Sequence, residues 1–136
     1  MAGFKTWDAD KRSKSDELLR RGKYRHLLMP HQREFYDLVT TSTASQFGYY
    51  CSRKMGKSFT IFLMAVEFAH NRPGSIQRIV LPSKVVAKEI YFAIYDELKD
   101  IIPVDLLPQR LKMEGAFEFK NGSRIVLGGA LPENIE

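Results

Sequence analysis

Residues 51–58 read Cys-Ser-Arg-Lys-Met-Gly-Lys-Ser, and no other run in the chain holds as much potential chemistry. Gly56-Lys57-Ser58 follows an apolar run, Gln46–Cys51, and precedes another, Phe59–Ala69. The spacing predicts strand, loop and helix, the setting in which a glycine-rich loop cradles phosphate. Backbone N–H groups of residues 52–58 (Ser52, Arg53, Lys54, Met55, Gly56, Lys57, Ser58) would surround the anion at a helix N-terminus, where the helix dipole favours negative charge. The Lys57 ammonium would reach the β- and γ-phosphates and the Ser58 hydroxyl would hold Mg²⁺. Gly56 lets the backbone approach the ligand with no Cβ in the way. Position 51 is Cys where the common pattern has a small residue such as Gly, and a plain strand-to-helix turn with Lys57 on the surface is the structural alternative.

The elements that must position this loop follow from hydrophobic period and punctuation. Residues 1–15 read as flexible, anchored by Phe4 and Trp7, with a short helix over Ser15–Arg21 capped by Ser15 or Asp16 and stopped by Gly22. Pro30 suits the first position of a second helix, with Phe35, Leu38 and Val39 on one face. Thr40–Ser45 reads as a loop. The first strand is expected at Gln46 to Cys51 or Ser52, then a helix from Lys57 to about His70, broken at Asn71-Arg-Pro-Gly-Ser75. Gln77–Leu81 reads as a strand ended by Pro82. Ser83 should cap a helix to about Lys99, with Val86, Ile90, Ala93, Ile94 and Leu98 buried. This alternation predicts an α/β fold with a parallel sheet and flanking helices. Nearer the C-terminus Ala116–Lys120 alternates, Asn121-Gly122 is a turn, and Arg124–Leu127 returns, which predicts a β-hairpin.

Bulk composition narrows the function classes. The 136 residues are 44% hydrophobic and 27% charged, ordinary for a globular domain. A single cysteine, Cys51, excludes a disulfide within the chain. No run approaches the roughly 18–20 apolar residues of a membrane span, and the N-terminus lacks the apolar core of a secretory signal. The net charge of +5 is uneven, since residues 1–28 hold eight Lys/Arg against four Asp/Glu. That basic arm could touch nucleic acid phosphates, or it could be a solvated helix face with acids interleaved at Asp8, Asp10, Asp16 and Glu17. His26, His31 and His70 lack ligand spacing and read as non-catalytic. Hydrolysis of a nucleotide needs a carboxylate at the end of a neighbouring strand to hold Mg²⁺. The strand candidates end at Pro82 and at Gly128-Gly129, and neither supplies one, so the residues predict binding without the full set for turnover.

The order of four stretches resembles the large terminase subunit of tailed bacteriophages, the ATPase that packages viral DNA. They are MPHQREFYD at 29–37, CSRKMGKSFT at 51–60, RIVLPSKVVAKEIY at 78–91 and FKNGSRIVLGGALPEN at 119–134, and they span most of the chain. The resemblance implies a P-loop NTPase fold (RecA-like), here an incomplete N-terminal part over 29–136 behind a basic arm at 1–28. It implies ATP and Mg²⁺ as ligands. Arg53, four residues ahead of Lys57, matches the family's catalytic arginine, so Arg53 and Lys57 would act on the γ-phosphate. Gln32 matches the family's adenine-recognising glutamine, and an amide can pair with adenine's donor and acceptor edge. The implied partners are double-stranded DNA, the small terminase subunit and the portal protein, in a homo-oligomer when full length. The implied location is the host cytoplasm, with no membrane. The acidic Mg²⁺-binding strand and a nuclease domain are expected beyond residue 136. Two alternatives stay open: part of a superfamily 2 helicase-like motor, which also places a glutamine ahead of its P-loop, and a nucleotide-binding remnant that does not hydrolyse.

Overall fold

The computed structural model describes Phe4, residues 6–46 and residues 56–130. The strand expected at Gln46–Ser52 and the loop residues Ser52, Arg53, Lys54 and Met55 lie outside the described residues, apart from Gln46.

The first helix, α1, runs from Ala9 to Arg20, longer than the sequence pattern suggested. Its cap is Asp8, whose carboxylate accepts the Lys11 N–H at 2.8 Å, rather than Ser15 or Asp16. Ser15 is instead buried mid-helix, its hydroxyl 2.8 Å from His26 Nε2. Gly22 ends the helix as expected, at φ +77°, with the Lys23 N–H returning to the Leu18 carbonyl. Leu19, Tyr24, Leu27 and Leu28 then join the same core as the rest of the molecule. Phe4 packs edge-on against Trp7 at 5.2 Å and reaches Phe59 at 6.1 Å.

Helix α2 covers Pro30–Thr41 with Pro30 at its start, where a missing N–H loses no helical bond. Helix α3 covers Lys57–Asn71, β1 Ile76–Leu81 and α4 Lys84–Leu98. Three further strands follow: β2 at Gln109–Leu111, β3 at Ala116–Glu118 and β4 at Arg124–Gly129. The four strands form one sheet in the order β1-β4-β3-β2. Only β1 and β4 are parallel, with Ile76 opposite Arg124 and Leu81 opposite Gly129. The β3–β4 and β2–β3 pairs are antiparallel. The fold is therefore mixed α/β, and the sheet is mixed where a parallel one was expected. The hairpin is the reason: β4 is at once its return strand and the parallel partner of β1.

Helices α3 and α4 pack on one face of the sheet, and aromatic rings join the layers. Phe117 of β3 lies 4.9 Å from Phe62 of α3 and 5.5 Å and 5.4 Å from Phe92 and Tyr95 of α4. Of the face expected to be buried in α4, Leu98 is buried and Ile90 and Ile94 are half-buried against the core, whereas Val86, 43% exposed, and Ala93 face solvent and Ala87 and Tyr91 are buried instead. On the other sheet face Ile76 and Val80 are more than half exposed.

The hairpin turn also closes α3. Asn121 Nδ2 donates to the Ala69 carbonyl at 2.8 Å. The buried Ser123 hydroxyl lies 2.9 Å from the Ala69 carbonyl and 2.8 Å from that of Arg72. Carbonyls at a helix C-terminus have no partner within the helix. Here a turn some fifty residues further along the chain supplies them.

Candidate functional site

Gly56 immediately precedes α3 at φ +70°, ψ +37°, in the left-handed region where a side chain would be strained. Its carbonyl accepts three donors: the Thr60 N–H and Thr60 Oγ1, each at 3.0 Å, and Gln32 Nε2 at 3.1 Å. Thr60 and Gln32 are both fully buried. The end of the loop is thereby held from below by its own helix and from the side by α2. The sequence reading had the glycine for its freedom; the structure adds that its carbonyl is anchored.

The other end of the Gln32 amide is also engaged, since Oε1 accepts the Met29 N–H at 2.8 Å. Gln32 therefore ties the first turn of α2 to Gly56 across 24 residues of sequence. The structure brings Gln32, Gly56, Lys57 and Ser58 together, in the order the motif spacing requires. The amide itself is enclosed, so contact with a base needs a covering group to move aside.

Lys57 is exposed and Ser58 half-buried in the first turn of α3. Both line a cavity of about 390 Å³ between this turn and the C-terminal half of β1. The floor is apolar, with Ile61, Ile79 and Leu81, and the polar groups are Lys57, Ser58, Arg78 and Tyr91. Among the described residues no carboxylate is part of these walls. A volume of this size is within the range of small-molecule sites.

Arg78 and Tyr91 escaped the sequence reading. Arg78 is the one charged residue of β1, which is a visible signal. Tyr91 was hidden because the face expected to be buried in α4 left it out. Its ring is 5.7 Å from Phe62 and the residue is 2% exposed. Burial raises the phenol's pKa, partly offset by the nearby Ser58 hydroxyl.

A second cavity, of about 360 Å³, lies between α2 and the C-terminal half of α3, with Tyr36, Glu67, Phe68 and Arg72 among its walls. Tyr36 donates its hydroxyl to Glu67 Oε1 at 2.7 Å. Burial raises the pKa of the half-buried Glu67 carboxyl, against the pull of the Tyr36 hydroxyl and the Tyr24 backbone N–H. His26 meets Ser15, and His70 Nδ1 lies 2.8 Å from the Tyr24 hydroxyl. Burial lowers the pKa of both rings, and Arg33 adds to the effect on His26.

Among the described residues no group of three His, Cys, Asp or Glu side chains could hold a metal ion. No helix among them is long and apolar enough to cross a membrane. Asp96 is paired with Arg110 at 3.0 Å, away from the cavity. No family model, curated protein or solved structure matches the chain. What fold and site define is a mixed α/β domain with a pocket whose charged walls, among the described residues, are cationic.

Proposed function

We propose that this chain binds ATP with Mg²⁺ at residues 51–58, as the nucleotide-binding part of a DNA-packaging motor of the terminase large-subunit type. The observation that carries the reading is the geometry at Gly56. A left-handed glycine, its carbonyl fixed by Gln32 and Thr60, delivers Lys57 and Ser58 to the wall of a cavity that no carboxylate of the described residues lines. A phosphate cradle needs a loop end that is both glycine-permitted and immobile, because an anion held by backbone N–H groups gains only when those groups are pre-oriented. The order of the four sequence stretches supports a terminase over other P-loop proteins.

In this reading Lys57 neutralises the β- and γ-phosphates and Ser58 ligates Mg²⁺. Arg53 acts at the γ-phosphate. Gln32 is the candidate adenine reader, and in the free protein it holds the loop. Double-stranded DNA, the small subunit and the portal are the proposed partners of the motor, with the host cytoplasm as its setting.

Calorimetric titration of the chain with Mg·ATPγS, beside Lys57→Ala, tests the proposal. Saturable binding that the substitution abolishes is the expected result. A folded wild-type chain that takes up no Mg·ATPγS rejects it. Phosphate release from Mg·ATP then separates an ATPase from a binding module without turnover.

A further inference from the structure

We propose that the cavity between α2 and the C-terminal half of α3 is a second binding site, one that takes a flat ring with paired N–H donors on one edge and acceptors on another. That pattern is the amino-oxo edge shared by guanine and the pterins. The site is separate from the phosphate loop, since Glu67 lies nearly three turns beyond Lys57 on α3, roughly 15 Å along the axis.

The walls come from one face of each helix. Met64, Glu67 and Phe68 of α3, with Arg72 just past its end, recur at three- and four-residue steps and so share a face. Tyr36 and Val39 of α2 stand opposite, and the Tyr36 hydroxyl reaches Glu67 Oε1 at 2.7 Å. The space between them, about 360 Å³, is within the range of small-molecule sites.

Two charged groups in this cavity have bonding capacity left. Glu67 is half-buried, and among the described residues no lysine or arginine pairs with its carboxylate. Such a charge is costly to keep, and a ligand that brings N–H donors offsets the cost. The Arg72 guanidinium lies over the Phe68 ring, 4.4 Å from its centroid, which fixes it at the cavity wall. Among the described residues its N–H groups make no hydrogen bond.

Carboxylate and guanidinium together choose the ligand. A simple cation suits Glu67 but is repelled by Arg72, and a simple anion meets the reverse. Guanine answers both without net charge: its N1–H and 2-amino group donate to a carboxylate, and O6 and N7 accept from an arginine fork. Adenine and cytosine each set a ring acceptor beside their amine, so one of two contacts with Glu67 becomes repulsive. Val39, Met64 and Phe68 supply apolar surface for the ring faces.

The test is an NMR titration of the full isotope-labelled chain with guanosine, inosine, biopterin and leucine. Guanosine should shift the resonances of Glu67, Phe68 and Arg72. It should bind about tenfold tighter than inosine, which lacks the amino group, the scale of one charge-assisted contact. Glu67→Gln keeps the side-chain volume and should erase that preference. Arg72→Gln should instead erase the preference for guanosine over its 7-deaza analogue, in which N7 is replaced by C–H. Whichever of guanosine and biopterin binds tighter names the source of the ring. Equal affinity for guanosine and inosine, or leucine bound as tightly as either ring, overturns the proposal. So do shifts gathered at Lys57 and Ser58, or no binding of guanosine and biopterin.

Discussion

Replacing Gln32 is the sharpest probe of how the loop is held. Its amide bonds the Met29 N–H at 2.8 Å and the Gly56 carbonyl at 3.1 Å, with no surface exposed. In Gln32→Ala the Gly56 carbonyl keeps both Thr60 donors, so it is not orphaned. The Met29 N–H loses its acceptor, and a cavity replaces a buried side chain. An unsatisfied buried donor costs about 1–3 kcal/mol and the lost volume adds to it, so a total of roughly 2–3 kcal/mol is expected. For a domain of this size that lowers Tm by roughly 6–12 °C. Urea denaturation and thermal melts followed by circular dichroism would read it. Gln32→Glu gives the complementary result. At pH 8 it sets a carboxylate against the Gly56 carbonyl, and stability should fall at least as far as in the alanine variant. Burial raises that carboxyl's folded pKa above its unfolded value. The folded state then binds more protons, and stability relative to wild type recovers as pH falls through the raised pKa. A loss below about 0.5 kcal/mol in Gln32→Ala would refute the reasoning, since that is the scale of an ordinary surface substitution. A glutamate variant as stable as wild type at pH 8 would show that Nε2 does not donate to Gly56.

Ser123→Ala should destabilise by about 2 kcal/mol, because the hydroxyl that serves the α3 carbonyls is buried and also accepts the Ser75 N–H at 3.2 Å. An unchanged urea midpoint would count against that account. Gly56→Ala should lose about 1–2 kcal/mol from left-handed strain and weaken nucleotide further, so affinity measured well below Tm should drop even where the chain is folded. Wild-type affinity in that variant would separate the glycine from the site. Glu67→Gln should remove one source of pH dependence. The folded pKa of Glu67 is raised, so wild type loses stability relative to the glutamine variant as pH rises from the unfolded value of 4.5 through the folded one. Parallel urea midpoints at pH 4 and pH 7 for the two chains would contradict this.

Much of the local structure was legible because its signals are local. Pro30 at a helix start, Ser83 as a cap accepting the Val86 N–H, and the turn at Asn121-Gly122 are each decided by the backbone needs of a few adjacent residues. The errors arose where a distant contact decides. The α4 pattern of Val, Ile and Ala was compatible with two neighbouring faces, and the ring cluster around Phe117 selected the one through Ala87 and Tyr91. The start of α1 was misjudged because Asp8 competes with Ser15 as a cap, and burial of Ser15 against His26 removed it from that role.

The sequence by itself determined that Gly56, Lys57 and Ser58 stand at the head of a helix, since glycine alone tolerates the left-handed turn and the apolar run behind it requires burial. It also marked Gln32 as a residue to watch, through its place after Pro30. Only the tertiary structure decided that β4, the return strand of the expected hairpin, would also pair in parallel with β1. Strand pairing between distant segments leaves no periodic mark in either one. The same holds for the cavity. Arg78 and Tyr91 line the same cavity as Lys57 and Ser58 because α3, β1 and α4 pack together, with Phe62 of α3 against Tyr91 of α4, and spacing along the chain carries no information about such an arrangement.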